Sequence, residues 1–450
     1  MISDGPRTIK AVDDAARRGT TMSVEASAVR TDTAERRFAA FGLLHERDFR
    51  LLFMGMTVSS LAMPMQWIVQ MWLVLDLTGG AHAALWLGLS GFVRGLPLLL
   101  LSLHGGALAD RMDRRTLLAI TQVASIAVAV TIAALMATGL LTIWLFLPLA
   151  FLSSAVMSFD QPARQALVPD LVPPERVTQA VTLNSMAMFS SMAVGPALAG
   201  FLIQAVGPAG SYIVIATTYL GVLIAVLLLR PQPPSGQRHA TQGSALAEIG
   251  EGLRYVRREP VILWLISVTF AMTVLGMAFT NLAPLLVTDV LGGSATSLGW
   301  IFAAWGIGAI VGSVVLAGWL DQIRSKGAFV LGMVGLFVAG LVCFAYAGSV
   351  SLAALFQFMP GLANTSIMVV SNAVILSVAP AALRGRVMGI YYMNRGLMPI
   401  GALVSAVLGE AVGVQHAIAT LALLSGLGVV LVTLRQPGVW RRVQTQQAGV

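Results

Sequence analysis

Apolar residues along this chain come in long, nearly unbroken runs rather than in the two-residue alternation of half-buried strands, and the runs are of membrane-crossing length. About 20 residues are needed to span a bilayer as a helix. Runs that meet this cover 51–75, 83–105, 117–138, 143–161, 177–205, 211–229, 261–288, 297–319, 328–348, 352–378, 387–410 and 416–434. The pattern predicts an all-α membrane protein of twelve transmembrane helices. Between the runs lie short polar breaks, several of them tight turns such as Ala137-Thr138-Gly139 and Gly207-Pro208-Ala209-Gly210.

Composition agrees with the pattern. Of the 450 residues 57% are hydrophobic and 11% charged, with a mean hydropathy of +0.83, whereas a soluble domain carries roughly 25% charged residues. In hydrocarbon every backbone N–H and C=O must be satisfied internally, which leaves helices or closed barrels; the absence of alternation excludes the barrel.

The net charge of +8 would suit nucleic acid if it formed one basic face. It does not. Lys and Arg collect at alternate junctions: the amino-terminal tail, Arg111/Arg114/Arg115, Arg164/Arg176, Arg230 to Arg258, Arg324/Lys326, Arg384/Arg386 and Arg435/Arg441/Arg442. The intervening loops hold Asp76, His82, Asp289, Glu410 and His416 and no Lys or Arg. Because basic loops stay on the cytoplasmic side, both termini are expected in the cytoplasm, the chain being multi-pass in the cell membrane. No nucleic-acid partner is expected; membrane lipids are.

Residues 1–48 are polar and lack the apolar core of a signal peptide, so they read as a disordered cytoplasmic tail. A Pro-rich break, Pro231-Gln232-Pro233-Pro234-Ser235-Gly236, opens the longest interior connection and reads as linker. It separates six-helix halves at 49–230 and 261–435, joined through 231–260, with a second tail at 436–450. Later in that connection Leu246, Ile249, Leu253 and Val256 recur at helical spacing beside Arg254, Arg257 and Arg258. This suggests an amphipathic helix on the inner membrane surface, a solvated charged linker being the other reading. The halves carry traces of a repeat: Asp76-Leu77-Thr78-Gly79-Gly80 matches Asp289-Val290-Leu291-Gly292-Gly293, and Arg176-Val177 matches Arg386-Val387, in a common register of about 210 residues. Parallel repeats of this kind are a known transporter construction, with the substrate site between them.

Three stretches are more specific. Gly105-Gly106-Ala107-Leu108-Ala109-Asp110-Arg111-Met112-Asp113-Arg114-Arg115 resembles the loop signature of the major facilitator superfamily, and Gly318-Trp319-Leu320-Asp321-Gln322-Ile323-Arg324 is similar to an eroded second copy. Ser191-Met192-Ala193-Val194-Gly195-Pro196-Ala197-Leu198-Ala199-Gly200 is similar to the motif associated with exporters of that superfamily, with Ser191 in place of its first glycine. Asp160-Gln161-Pro162-Ala163-Arg164-Gln165-Ala166-Leu167-Val168-Pro169, Glu251-Gly252-Leu253-Arg254-Tyr255-Val256 and Leu383-Arg384-Gly385-Arg386-Val387 resemble its bacterial branch containing the enterobactin exporter and multidrug-efflux relatives.

The resemblance implies two pseudo-symmetric six-helix halves in the major facilitator fold, working as a monomer by alternating access. It implies gating roles for Gly106, Asp110, Arg111, Arg114, Arg115, Asp321 and Arg324, and export for the motif holding Gly195, Pro196 and Gly200. Against these stand simpler readings, arginines that only enforce topology and small residues that only pack helices.

Two basic residues fall deep within runs, Arg94 and Arg395. Charge at membrane depth is costly and belongs on protein or water-filled paths. Neither has a basic counterpart in the repeat register. They would bind an acidic or phenolate group of a substrate; alternatively each serves backbone carbonyls at a helix break near Pro97 or Pro399. For proton coupling the candidate is Asp160, whose other reading is a structural salt bridge to Arg164. Gln66, Trp67, Gln70, Asn281, Gln357, Asn364 and Asn394 are further candidates for a cavity walled by adaptable methionines.

Other functions fare poorly. No G-x-x-x-x-G-K-[ST] phosphate loop occurs, and the only lysines are Lys10 and Lys326. A membrane enzyme would cluster His or acids at membrane depth, but the five histidines are scattered. One cysteine, Cys343, gives neither a disulfide nor a metal cluster. No metal or cofactor is expected. The sequence thus predicts a secondary transporter of a small amphiphilic or anionic molecule, siderophore-like or drug-like, most simply an exporter exchanging it for protons. An importer or uniporter of the same fold, a polytopic enzyme and a non-transporting receptor are the alternatives.

Overall fold

The computed structural model describes residues 41–229, 245–319, 322–323, 325–381, 383–436 and 438, leaving undescribed the side chains of 102–111, 245–249 and of Phe41, Leu44, Ala317 and Arg395. Most of the 1–48 tail, the Pro-rich opening of the central connection, and Asp321 and Arg324 lie outside the described residues. So does nearly all of the 436–450 tail.

The described residues are helical throughout, without strands. In chain order the helices are α1 Arg47–Ser60, α2 Ala62–Thr78, α3 Ala83–Arg111, α4 Arg114–Ala137, α5 Ile143–Asp170 and α6 Val177–Leu228. After the central connection come α7 Ala245–Arg258, α8 Pro260–Ala271, α9 Phe279–Leu285, α10 Ala295–Trp319, α11 Lys326–Ala345, α12 Val350–Val378, α13 Arg384–Met393, α14 Met398–Val412 and α15 Val414–Arg435. Two π-helical segments, Met272–Gly276 and Leu286–Val290, flank α9.

Eleven described helices are long and apolar enough to cross a membrane. The twelfth crossing is inside one of them. The stretch Pro174–Leu228 is 55 residues long and turns at Gly207, whose φ of 72° and ψ of 173° suit glycine alone; Pro208 then starts the return. The chain is therefore a multi-pass helical membrane protein. Two boundaries move relative to the sequence reading. Helix α3 continues through Gly105 and Gly106 to Arg111, so most of the signature expected in a loop is helical and the turn is only Met112 and Asp113. Helix α5 runs on to Asp170, which places Asp160 and Arg164 well inside it.

The repeat is visible in the backbone. Gly79 and Gly292 both take left-handed φ, 58° and 59°, at matching positions of the two D-x-x-G-G segments. Within the central connection Ala245–Arg258 is helical, α7, with Leu253 exposed and the side chains of Leu246 and Ile249 outside the described residues. Its Val256 is buried and Arg254, Arg257 and Arg258 are exposed; Glu251 pairs with Arg386 at 2.5 Å and the Tyr255 hydroxyl reaches the Val378 carbonyl at 3.5 Å.

The helices before residue 230 and those from Pro260 onward meet along two seams. In one, the α3 stripe Gly88, Gly91, Gly95 faces Ala406, Asn281 and Pro399, and a Cβ at Gly88 would sit 2.2 Å from that of Ala406. In the other, α6 meets α10, where a Cβ at Gly299 would be 2.5 Å from the Pro196 carbonyl. Both seams close at the loop end remote from the termini. There His82 Nδ1 lies 2.5 Å from Glu410 Oε1, and Thr296 donates to Gln204 Oε1 at 2.5 Å. On the terminal face the first half makes polar contacts with itself, and Glu251 of the central connection pairs with Arg386. Arg114 binds Asp170 at 2.5 Å and the Ala166 carbonyl at 3.0 Å, and Arg115 binds the Leu227 carbonyl at 2.7 Å.

Candidate functional site

Helices α1/α2, α5 and α6 bring polar side chains together in two buried layers. Both arise from seven-residue spacings, two turns on one helical face. Ser59 and Gln66 are so spaced on α1/α2, Ser153 and Asp160 on α5, and Tyr212 and Tyr219 on α6. Because α5 runs against α1/α2, Ser59 meets the Asp160 level and Gln66 meets Ser153.

In the layer nearer the termini Asp160, 1% exposed, accepts from Thr121 at 2.9 Å and from Gln122 Nε2 at 2.5 Å. Arg164 closes its second oxygen through Nε. The same guanidinium donates to Ser59 Oγ at 2.5 Å and to Gln122 Oε1 at 3.3 Å. One arginine thus ties three helices to one carboxylate. The Asp160 to Arg164 salt bridge is present, the structural alternative of the sequence reading.

In the next layer Gln66 donates to Ser153 Oγ at 2.8 Å and accepts from the Tyr219 hydroxyl at 3.0 Å. Trp67, its neighbour, packs edge-on against Phe302 of α10 with ring centroids 5.1 Å apart, an aromatic contact between the halves. One turn further along α2, Gln70 faces the Tyr212 hydroxyl, but the contact falls short of a hydrogen bond and that hydroxyl is buried without a partner.

Arg94 is half-buried on α3, beside the glycine stripe and electrostatically coupled to Tyr212. Among the described residues no ion pair or hydrogen bond is recorded for it, and α3 runs unbroken past Pro97. The backbone of Arg395 lies in the 3-10 turn Asn394–Leu397, whose Gly396 abuts Leu99 of α3; its side chain is outside the described residues, as are those of Asp110 and Arg111.

The remaining candidates separate. Asn281 sits in the seam, its Oδ1 against Gly91. Asn394 donates to Thr273 at 3.2 Å. Gln357 is fully buried and Asn364 half-buried, both on α12. Gly195, Pro196 and Gly200 line α6 between α2 and α10: a Cβ at Gly195 would be 2.5 Å from the Pro64 ring, and one at Gly200 2.5 Å from the Ala295 carbonyl. Arg114 and Arg115 bind within their own half. Just before them Asp113 caps α4, accepting from the Thr116 amide at 2.9 Å and its hydroxyl at 2.7 Å; these bonds, the hydroxyl's first, hold its carboxyl below the usual range.

Sequence reasoning missed Ser59, Thr121, Gln122, Ser153, Tyr212, Tyr219, Phe302 and Trp305. The seven-residue partners of Gln66 and Asp160 were the available signal.

Two seamed helical halves around buried polar layers are the build of a membrane transporter, and the family match and transporter relatives make the chain one rather than an enzyme. Residues 38–444 match the family described as transmembrane secretion effector, and the chain belongs to that family of the major facilitator superfamily. It is 26% identical to the Staphyloferrin A transporter of Staphylococcus aureus over 85% of this chain and 92% of that one. With the multidrug efflux pump Tap of Mycolicibacterium fortuitum it shares 27% over 81% and 90%, and with the enterobactin exporter EntS of Escherichia coli 25% over 78% of each. Among solved structures it resembles a D-xylose-proton symporter with a TM-score of 0.66 at 18% identity, covering 87% of this chain and 97% of that one. A bacterial homolog of the lysosomal transporter Spinster, inward-facing and unoccupied, gives a TM-score of 0.66 at 12% identity over 89% and 97%. Both likenesses concern the fold.

Proposed function

We propose that this carrier exports an anionic amphiphile by alternating access and exchanges it for protons taken up at Asp160. The observation that carries the reading is Arg94, a half-buried guanidinium at membrane depth for which no acidic partner is recorded among the described residues. An unpaired cation there attracts an anion strongly, because little water screens it. The one-sided arginines make the terminal face cytoplasmic. The sealed end with His82 and Glu410 is then extracellular, and the present state accepts cargo from inside a bacterial cytoplasmic membrane. The family description and relatives named as efflux pump and exporter support that direction.

The coupling follows from the lower polar layer. A proton on Asp160 removes the charge that holds Arg164, and Arg164 then loosens its grip on Ser59 and Gln122. The contacts joining α1, α4 and α5 weaken together, which lets the six-helix halves, 49–230 and 261–435, rock about the two seams. The chain acts in this as a monomer.

Uptake into inside-out vesicles tests the reading, using anionic, neutral and cationic amphiphiles with and without an acid-interior gradient. Wild type is expected to accumulate anions in a gradient-dependent way. Arg94→Gln is expected to raise the half-saturating concentration about tenfold or more, the worth of one charge-assisted hydrogen bond, at unchanged thermal stability. Normal affinity in Arg94→Gln would sink the anion reading, and uptake only in right-side-out vesicles would make the chain an importer.

A further inference from the structure

Helices α10 and α12 hold polar atoms that the reading above does not use. Trp305 Nε1 and both Oε1 and Nε2 of Gln357 are buried with no hydrogen-bond partner, and Gln357 is 0% exposed. A primary amide has two donors and an acceptor oxygen, and leaving all of them unmade away from water is unfavourable. Leucine or methionine would fill the same space without that cost.

The two side chains share one level of the bundle. Helices α10 and α12 run in the same direction and touch backbone to backbone: a Cβ at Gly361 would be 2.0 Å from the Trp305 carbonyl, and one at Gly308 2.2 Å from the Phe358 carbonyl. With Gly361 against the Trp305 carbonyl and Gly308 against that of Phe358, Gln357 stands within one turn of both Trp305 and Phe302 along the bundle. Phe302 is the ring that meets Trp67 across the halves. Further along α12, Asn364 and Ser371 follow Gln357 at seven-residue intervals, and the buried Ser371 hydroxyl is likewise without a partner. Unpaired donors and an acceptor on α10 and α12 therefore stand within a turn of Phe302 and its contact between the halves, whereas Arg94 is carried by α3.

We infer that Trp305 and Gln357 form a second recognition point for the cargo, one that takes a neutral carbonyl or amide. Trp305 donates to its oxygen, Gln357 completes both its own donor and acceptor on the amide, and an adjoining ring of the cargo lies against Trp67 and Phe302. The inference rests on the reading of the chain as a carrier of anionic amphiphiles and adds the group such a cargo carries beside its anion.

Hippurate and 4-phenylbutyrate separate the two claims. Each has a benzene ring and a carboxylate joined by three atoms, and only hippurate has an amide in that link. Their binding to the full-length protein in lipid nanodiscs is measured by isothermal titration calorimetry. Wild type is expected to prefer hippurate about tenfold, the worth of one or two buried hydrogen bonds. Gln357→Met and Trp305→Phe should each bring hippurate to the level of 4-phenylbutyrate and leave the latter unchanged. Their thermal midpoints should hold or rise, since an unmet polar group has been removed. Arg94→Gln should weaken both compounds alike; if it weakens neither, the anion reading fails while the amide preference is judged by itself. The inference is overturned if wild type binds the two equally or binds neither, or if both variants keep the preference. A large fall in the thermal midpoint of Gln357→Met, which would assign the amide to packing, overturns it as well.

Discussion

Arg164 donates to Ser59 Oγ at 2.5 Å from a guanidinium that Asp160 also holds, so a serine on α1 depends for its partner on a carboxylate on α5. Thr121 and Gln122 of α4 bind the same carboxylate. The state of one acid is in this way communicated to three helices. A buried pair with several further hydrogen bonds is costly to break from one side, because the remaining charge stays behind without compensation.

Asp160→Asn should therefore lower both stability and proton-driven transport. It strands Arg164, whose side chain is 13% exposed, and one-sided loss of such a pair costs about 3–5 kcal/mol when burial is complete; the residual exposure reduces that here. The double change Asp160→Asn with Arg164→Gln removes the stranded charge and should recover most of the thermal midpoint without recovering coupling. Thermal denaturation in detergent, paired with vesicle uptake under a pH gradient, reads the two effects separately. Full gradient-dependent uptake by Asp160→Asn would remove Asp160 as the coupling acid.

The pair His82 and Glu410 joins the halves at the sealed end, with His82 at 70% side-chain exposure and held at a φ of 49°. A pair so exposed contributes about 0.2–1 kcal/mol, which corresponds to a change of up to about fivefold in the balance of closed and open forms. Glu410→Gln should raise hydrogen exchange over the first turns of α3 and the last of α14 by that factor, and leave the α4 to α5 contacts unaffected. Unchanged exchange in these turns would mean that the glycine seams alone keep this end shut.

How much of this was legible beforehand depended on the range of the interactions. The spans were legible because lipid demands about 20 apolar residues whatever packs around them, and even the doubled helix split correctly at Gly207-Pro208 by turn chemistry. The extent of α3 and α5 was not. Residues beyond 161 such as Arg164 and Gln165 read as loop in a hydropathy window, whereas the helix continues and Arg164 finds partners on neighbouring helices. Asp160 and Gln66 were recognised as odd residues in apolar runs, but their partners Ser59, Gln122, Ser153 and Tyr219 are common in membrane helices. Only the packing of α1/α2 and α5 against each other and against α4 and α6 makes them neighbours. Trp305 carried no sequence signal, since its unmet N–H exists only relative to its surroundings.

The last expectation concerns Asp113, the cap of α4. Its carboxyl is held below the ordinary range by the Thr116 hydroxyl first and then by backbone amides. A carboxyl with a depressed folded-state pKa adds stability that is present above its unfolded pKa and is lost as pH falls through the folded one. Asp113→Ala removes an N-cap, worth about 1 kcal/mol, and should lower the thermal midpoint by a constant amount from neutral pH down to the upper edge of carboxylate titration. In stronger acid the cap of wild type is itself protonated, and the two proteins should converge. Asp113→Asn, which caps as well without a charge, should stay near wild type at neutral pH and keep its margin over Asp113→Ala in acid. Denaturation of the three proteins across that range checks the sign: a gap between wild type and Asp113→Ala that widened on acidification would show that the carboxyl is not stabilised in its ionised form.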